Sequence, residues 1–163
     1  MKTTFFTLAL IIGLSVSQFT QAQKFDDIYK KYQTVPGIQA MKFNDVGPLI
    51  GSALNNQDPE IKELAKKTNS VRILINKQFL EDLNKDLNNY VKKNKLDELM
   101  SYTGEGNNIG IYMVEKKEII NEIVVSVATS DGNHIVLQVL GEYPLKTVQD
   151  LISKNSDKLN FKF

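Results

Sequence analysis

Three runs rich in Ile and Val, separated by two short polar breaks, occupy residues 108–141 of the chain. This pattern predicts a three-stranded antiparallel meander. The first break, residues 115–118, consists entirely of charged residues. The second contains Asp131-Gly132, a dipeptide that suits the positive φ angles of a tight hairpin turn.

The register of the hairpin follows from a two-residue turn at Asp131-Gly132. Val127 would then pair with Val136, and side chains would alternate between the two sides of the sheet. The opposite side would carry Val124, Ile135, Leu137 and Val139. Both sides are then largely apolar, whereas an antiparallel sheet with one solvated side alternates apolar and polar residues. We therefore expect the hairpin in the middle of its sheet, covered on both sides.

Helical periodicity surrounds the meander. Apolar residues recur at helical spacing in residues 25–32, around Pro48, after the start signal Asp58-Pro59, in residues 77–93 and after Pro144. Residues 71–75 and 98–103 predict two more strands. The order predicts an α+β fold: a mostly antiparallel sheet of about five strands, in a β-α-β-β-β-β-α core, with packed helices and an N-terminal helical segment. The helices of the second half would cover one side of the sheet, and the N-terminal pieces the other.

The first residues indicate a targeting segment. Met1-Lys2 supplies a positive start, residues 5–16 are mostly apolar, and Thr20-Gln21-Ala22 places small residues where a signal peptidase cleaves. We predict a signal peptide over residues 1–22, a single α+β domain over 23–155, and a tail or edge strand over 156–163. A retained membrane anchor is the alternative, but the apolar run is shorter than the ~20 residues of a membrane span.

Composition excludes several classes of function. The chain has 163 residues, enough for one domain with its own core, and no cysteine, so disulfides, iron–sulfur clusters and cysteine zinc sites are impossible. The full chain has 20 basic and 19 acidic residues, and loss of Lys2 with the signal peptide leaves nineteen of each. A mature net charge of zero disfavours nucleic acid and anionic membranes as partners. We also expect no stable membrane insertion after cleavage.

Chemistry-bearing residues do not assemble into a recognisable set. His134 is the only histidine, and we expect it at a strand end opposite Thr129 rather than in a metal site. No G-x-S-x-G motif is present. The acidic pairs, such as Asp26-Asp27 and Glu81-Asp82, fit helix starts and solvated faces better than paired catalytic carboxylates. The sequence therefore predicts no catalytic, metal-binding or cofactor-binding residue and no cofactor.

Four stretches carry a family resemblance: SVRILI (70–75), LDELMSY (96–102), IGIYMVEKKEIINEIVVSV (109–127) and VLQVLGEYPLKTVQDL (136–151). With them the chain resembles the family called domain of unknown function 4252, whose members are small exported proteins of Gram-negative bacteria. The resemblance implies export and a common fold. The family has no established reaction, so the resemblance implies no catalytic residue.

These observations favour an exported protein of the periplasm or cell envelope that works without catalysis, by binding another envelope protein. The predicted interaction surface consists of Val124, Ile135, Leu137 and Val139. An exposed apolar patch of several hundred Å2 would mark such a surface. Two alternatives remain open: a small envelope hydrolase that uses carboxylates with or without His134, and a carrier of an apolar ligand. A homo-oligomer is also compatible with the sequence.

Overall fold

The computed structural model describes residues 24–48 and 59–155. The predicted signal peptide, most of the helical segment around Pro48 and the predicted tail 156–163 lie outside these residues. The elements in chain order are α1 (Phe25–Tyr32), β1 (Ile38–Asn44), α2 (Pro59–Lys66), β2 (Thr68–Asn76), α3 (Glu81–Lys93), β3 (Asp97–Gly104), β4 (Asn107–Lys116), β5 (Ile119–Ala128), β6 (His134–Pro144) and α4 (Leu145–Asn155).

The predicted α+β class is confirmed, with one antiparallel sheet of six strands instead of about five. The strand order is β1-β2-β6-β5-β4-β3. The additional strand is β1, which lies at one edge of the sheet. Its polar residues, among them Gln39, Lys42 and Asn44, are exposed. A short strand with such residues is typical of a sheet edge, and it gave no strong apolar signal.

The hairpin of β5 and β6 occupies the two central positions of the sheet, as predicted. Its register differs by one residue from the prediction, because the loop has three residues instead of two. The amide of Thr129 donates to the carbonyl of Asn133 at 2.9 Å, and the amide of Gly132 donates to the carbonyl of Thr129 at 2.9 Å. Gly132 has a φ of 90°. A tight turn that ends in a residue with positive φ is the common form of a three-residue hairpin loop.

The one-residue shift regroups the side chains of β5 and β6. Ala128 now lies opposite His134, and Val124 lies opposite Gln138. Because side chains alternate along each strand, this one-residue shift places Val124 on the opposite side of the sheet from Leu137, whereas the prediction placed both on the same side. We call the side that contains Val124 and Gln138 the first face, and the side that contains Leu137 the second face.

Helices α1 and α3 cover the first face. Their buried residues Ile28, Leu83 and Leu87 form the main core with Leu74 of β2 and Val136 of β6. Each of these side chains is at most 1% exposed, so the core is tightly closed.

A polar contact fastens the two helices to each other at their solvent side. Lys31 and the hydroxyl of Tyr32, both on α1, lie 2.6 and 2.9 Å from a carboxylate oxygen of Asp86 on α3. The first face is therefore covered by one helix from each half of the chain. The expectation that each half would cover its own side of the sheet was wrong.

Helices α2 and α4 lie over one end of the second face. Leu64 of α2 and Val148 of α4 pack in a smaller core around Ile120 and Tyr143. The hydroxyl of Tyr143 donates to Thr68 Oγ1 at 2.9 Å, which satisfies the only polar atom of that side chain. Both cores together place the sheet between two unequal helical layers.

Candidate functional site

The second face carries an uninterrupted set of aliphatic side chains. Two rows cross β2, β6, β5 and β4 on this side: Ile73, Leu137, Val125 and Ile111, and beside them Ile75, Ile135, Val127 and Ile109. We call these eight residues the aliphatic face. Ile109 is buried, and the other seven are partly exposed. Polar side chains interrupt neither row, although the solvated side of an antiparallel sheet normally carries polar residues.

The described helices pack beside the aliphatic face. The smaller core with α2 and α4 takes in Met113, Ile123 and Val139, which form the next row along the strands. None of the eight residues belongs to the buried clusters of the described part of the chain. Two large aromatic side chains lie on the same side at the edge strands: Phe43, 44% exposed, and Tyr102, 39% exposed.

The four residues of the predicted interaction surface do not share one face. Ile135 and Leu137 belong to the aliphatic face, and Val139 lies next to it, against the smaller core. Val124 points to the first face, where it is fully buried beneath α1 and α3. Its assignment to the surface was wrong, because the three-residue loop shifts β5 by one position relative to β6.

A polar network lies within the first face. Arg72 Nη1 donates to Gln138 Oε1, Gln138 Nε2 donates to Glu122 Oε1, and the Tyr90 hydroxyl donates to the same Glu122 oxygen, each at 2.5 Å. Arg72 Nη2 lies 3.3 Å from Asp26 Oδ1. The network joins α1 and α3 to the central strands, so it has a structural role.

The protonation states of Tyr90 and Asp26 fit this structural role. Burial raises the pKa of the Tyr90 phenol far above its ordinary value, and the hydrogen bond to Glu122 adds to the increase. The hydrogen bond from Lys30 lowers the pKa of Asp26, with a further contribution from Arg72. Tyr90 therefore stays protonated and Asp26 stays charged at neutral pH.

His134 is enclosed at the start of β6. Its side chain is 0% exposed, and its ring stacks on Phe79 with centroids 5.0 Å apart. Nε2 lies 3.4 Å from the Ser126 hydroxyl, and Nδ1 has no hydrogen-bond partner among the described residues. The expected position opposite Thr129 was wrong, since Ala128 lies there. Burial lowers the pKa of the imidazole, so His134 is neutral.

These contacts do not complete a catalytic set. A serine nucleophile needs a histidine base that a third group orients. Within the described residues, no carboxylate hydrogen-bonds to His134 Nδ1. The same part of the chain contains no group of three or more His, Asp or Glu side chains that could hold a metal ion.

A cavity of about 140 Å3 lies between α3 and the first face, next to His134. Its lining comes from α3, the segment before it, and strands β4 and β5: Phe79, Asn84, Leu87, Asn88, Asn108, Gly110, Tyr112, Ser126 and Ala128. A Cβ atom on Gly110 would lie 2.7 Å from the Tyr112 hydroxyl oxygen. Gly110 therefore leaves the space in which the Tyr112 ring lies across β4.

Sequence reasoning missed this cavity. The helix was expected over residues 77–93, but α3 begins at Glu81, because Asn76 Nδ2 donates to the carbonyl of Gln78 and holds the preceding segment outside the helix. Phe79 is therefore free to stack on His134. One signal was present in the sequence: Asn84 and Asn88 are four positions apart and so share one side of a helix.

The comparison with protein families decides the classification. The model of the family described as Domain of unknown function (DUF4252) matches residues 45–151, more than half of the chain. The chain belongs to this family. No curated protein and no solved structure matches this DUF4252 chain. The matched segment starts directly after β1 and ends within α4. It contains the whole aliphatic face and the whole cavity lining.

The described helices of the DUF4252 protein are short. The longest, α3, has 13 residues. None of the described helices has the length and apolar character that a membrane span requires.

Proposed function

We propose that this DUF4252 protein is exported to the periplasm or cell envelope and works there as a non-enzymatic binding module for another envelope protein. The aliphatic face is the observation that carries this proposal. It presents two adjacent rows of aliphatic side chains from four neighbouring strands. The buried centre of a protein–protein interface has this apolar, charge-depleted composition.

The character of the partner follows from the composition of the surface. Charged side chains are absent from both rows, so a charged partner surface would lose its hydration without gaining an ion pair. Phe43 and Tyr102 flank the face with exposed aromatic rings, which are enriched at interfaces. The partner is therefore expected to present an apolar segment.

Export is supported by the N-terminal pattern. A positive start, an apolar run and small residues before Gln23 have the order and length of a signal peptide. The absence of net charge in the mature chain agrees with a role that does not depend on electrostatic capture. The family resemblance implies the same location.

The two alternative functions have weaker support. A hydrolase that uses His134 would need this residue accessible beside an acid, whereas His134 is fully buried next to a single hydroxyl. A carrier of an apolar ligand would need an apolar cavity, whereas the cavity beneath α3 is lined by three asparagine side chains. Neither alternative explains the aliphatic face.

Site-specific photo-crosslinking in intact cells tests the proposal. A photoreactive phenylalanine analogue at Leu137 is expected to give one discrete adduct with another envelope protein. The same analogue at Lys92, an exposed residue of α3 on the opposite side of the sheet, should not give that adduct. The second substitution Ile135→Lys should abolish the adduct formed from position 137.

Several outcomes would contradict the proposal. Identical adducts from positions 137 and 92 would mean that the contact is not specific to the aliphatic face. An adduct that contains only a second copy of the chain would replace the envelope partner by a homodimer. The absence of any adduct in protein that folds normally would remove the binding role of this face.

A further inference from the structure

The cavity beneath α3 lies on the opposite side of the sheet from the aliphatic face. Asn84 and Asn88 of α3 form one wall, and Asn108 of β4 and Ser126 of β5 contribute the wall on the sheet. A ligand in this cavity would not compete with a protein on the aliphatic face. Ligand binding in this cavity is therefore independent of the proposed function.

Uncharged hydrogen-bonding groups dominate the cavity. Its lining contains no lysine, arginine, aspartate or glutamate. The side-chain amides of Asn84, Asn88 and Asn108 make no hydrogen bond to any residue in the described ranges. Each carboxamide offers two donors and one acceptor with two lone pairs. The cavity is suited to a neutral ligand with hydroxyl groups, because a charged ligand would be desolvated there without a counter-charge.

An aromatic ring stands beside these amides. Phe79 stacks one side of its ring on His134, while 44% of the residue remains exposed. His134 also lies 3.4 Å from the hydroxyl of Ser126, which lines the cavity. His134 is therefore a positioning residue that supports one aromatic and one hydroxyl group of the cavity. An open aromatic face can pack against the apolar C–H face of a sugar ring.

We propose that this cavity binds one neutral sugar unit of a saccharide. The carboxamides and the Ser126 hydroxyl would hydrogen-bond the sugar hydroxyls, and Phe79 would pack against the ring. Its volume of about 140 Å3 is below the ~300–1,000 Å3 of sites for drug-sized ligands, so a single ring is the fitting size. A site with few contacts of this kind is expected to bind weakly, with a dissociation constant of about 1 mM.

NMR titration of the isotope-labelled mature chain tests this site. Glucose and N-acetylglucosamine are the neutral probes, and glucuronate is the matched anionic probe. At least one neutral sugar is expected to shift the side-chain amide signals of Asn84, Asn88 and Asn108 in a saturable way. Glucuronate should bind more weakly, since the cavity provides no cation.

Two neighbouring substitutions on α3 separate specific binding from a surface effect. Asn88→Ala should weaken sugar binding about tenfold, the effect of losing a hydrogen bond of roughly 1.4 kcal/mol. Asn89→Ala makes the same chemical change one position along the helix. Because its side chain is rotated by about 100° from that of Asn88 and does not line the cavity, binding should be unchanged. Circular dichroism would show that both variants keep the fold.

Three results would overturn the inference. The first is the absence of saturable shifts with both neutral sugars. The second is an equal loss of binding in Asn88→Ala and Asn89→Ala. The third is glucuronate binding as tightly as the neutral probes, because an uncharged cavity would not explain it.

Discussion

His134 occupies a position in which taking up a proton is unfavourable. The ring is fully buried between Phe79 and Ser126, and burial lowers the pKa of its imidazole. In the unfolded chain the same residue has a pKa of about 6.5. The folded protein therefore remains unprotonated at His134 in a pH range where the unfolded chain binds a proton.

This difference predicts a pH dependence of stability. The stabilisation from neutral His134 is complete above pH ~6.5 and is lost as the pH falls toward the lower pKa of the folded state, because only the unfolded chain binds the proton there. One proton gives a slope of at most ~1.4 kcal/mol per pH unit in the free energy of unfolding. Urea unfolding at pH 7.5, 6.5 and 5.5 measures this slope.

His134→Gln provides the control for the pH experiment. The variant has no titrating group at this position, so its stability should change less between pH 6.5 and 5.5 than that of the wild type. The chain has no second histidine that could mask the effect. Equal slopes for both proteins would show that folding does not lower the pKa of His134, because the folded and unfolded chains would then take up this proton equally readily.

Asp131 shows how one loop residue limits sequence-based prediction. The Asp131-Gly132 dipeptide correctly indicated a turn, and Gly132 has the expected positive φ. The carboxylate of Asp131, however, accepts hydrogen bonds from the Thr129 hydroxyl and from Asn133 Nδ2, which holds these two residues opposite each other at the base of the loop. These side-chain contacts favour three loop residues over two. Apolar periodicity alone contains no information on this choice.

Two adjacent valines of β5, which lie on opposite sides of the sheet, allow the observed register to be tested. Val124 is 0% exposed beneath α1 and α3, while Val125 belongs to the partly exposed aliphatic face. Val124→Ala should lower the free energy of unfolding by about 2–3 kcal/mol, from lost burial and the cavity left behind. Val125→Ala should lower it by about 1 kcal/mol or less, since its side chain is less completely buried.

Chemical unfolding of both valine variants at pH 7.5 provides the comparison. The same deletion of two methyl groups is made at adjacent positions of one strand, so strand propensity affects both equally. An equal or reversed order of the two losses would contradict the assignment of Val124 to the covered face.

The elements themselves were more predictable than their arrangement. The meander, strand β2 and helix α3 follow from apolar periodicity, because apolar side chains recur along each of them at the spacing of a strand or a helix. Edge strand β1 was missed, since its exposed Gln39 and Lys42 weaken that signal. The cavity was also missed, because its polar lining comes from separate elements that only the tertiary fold brings together.

At the scale of the whole molecule, the first helix begins close to the predicted cleavage site. α1 starts at Phe25, which is 2% exposed and packs edge-to-face on Tyr90 with ring centroids 5.8 Å apart. Cleavage after Ala22 would leave only Gln23 and Lys24 before this helix. The mature chain would thus begin next to its main core.

Mass spectrometry of the protein recovered from the cell envelope tests the proposed export. The intact mass should correspond to residues 23–163, with Gln23 as the first residue. Ala22→Arg removes the small residue before the cleavage site and should leave the precursor uncleaved. A wild-type chain that retains residues 1–22 in a soluble cytoplasmic fraction would contradict the export proposal.

The position of β6 in the strand order has a consequence for biogenesis. β1 and β2 form one partial sheet, β3, β4 and β5 form another, and only β6 hydrogen-bonds to both. Among the strands of the described residues, this linking strand is also the last to be synthesised, so a nascent chain lacks the segment that unites the two halves. Post-translational secretion would require the polypeptide to stay extended on the cytosolic side. Because the sheet closes only when β6 is present, folding there would be delayed, and the sheet would be completed after the chain has crossed the membrane.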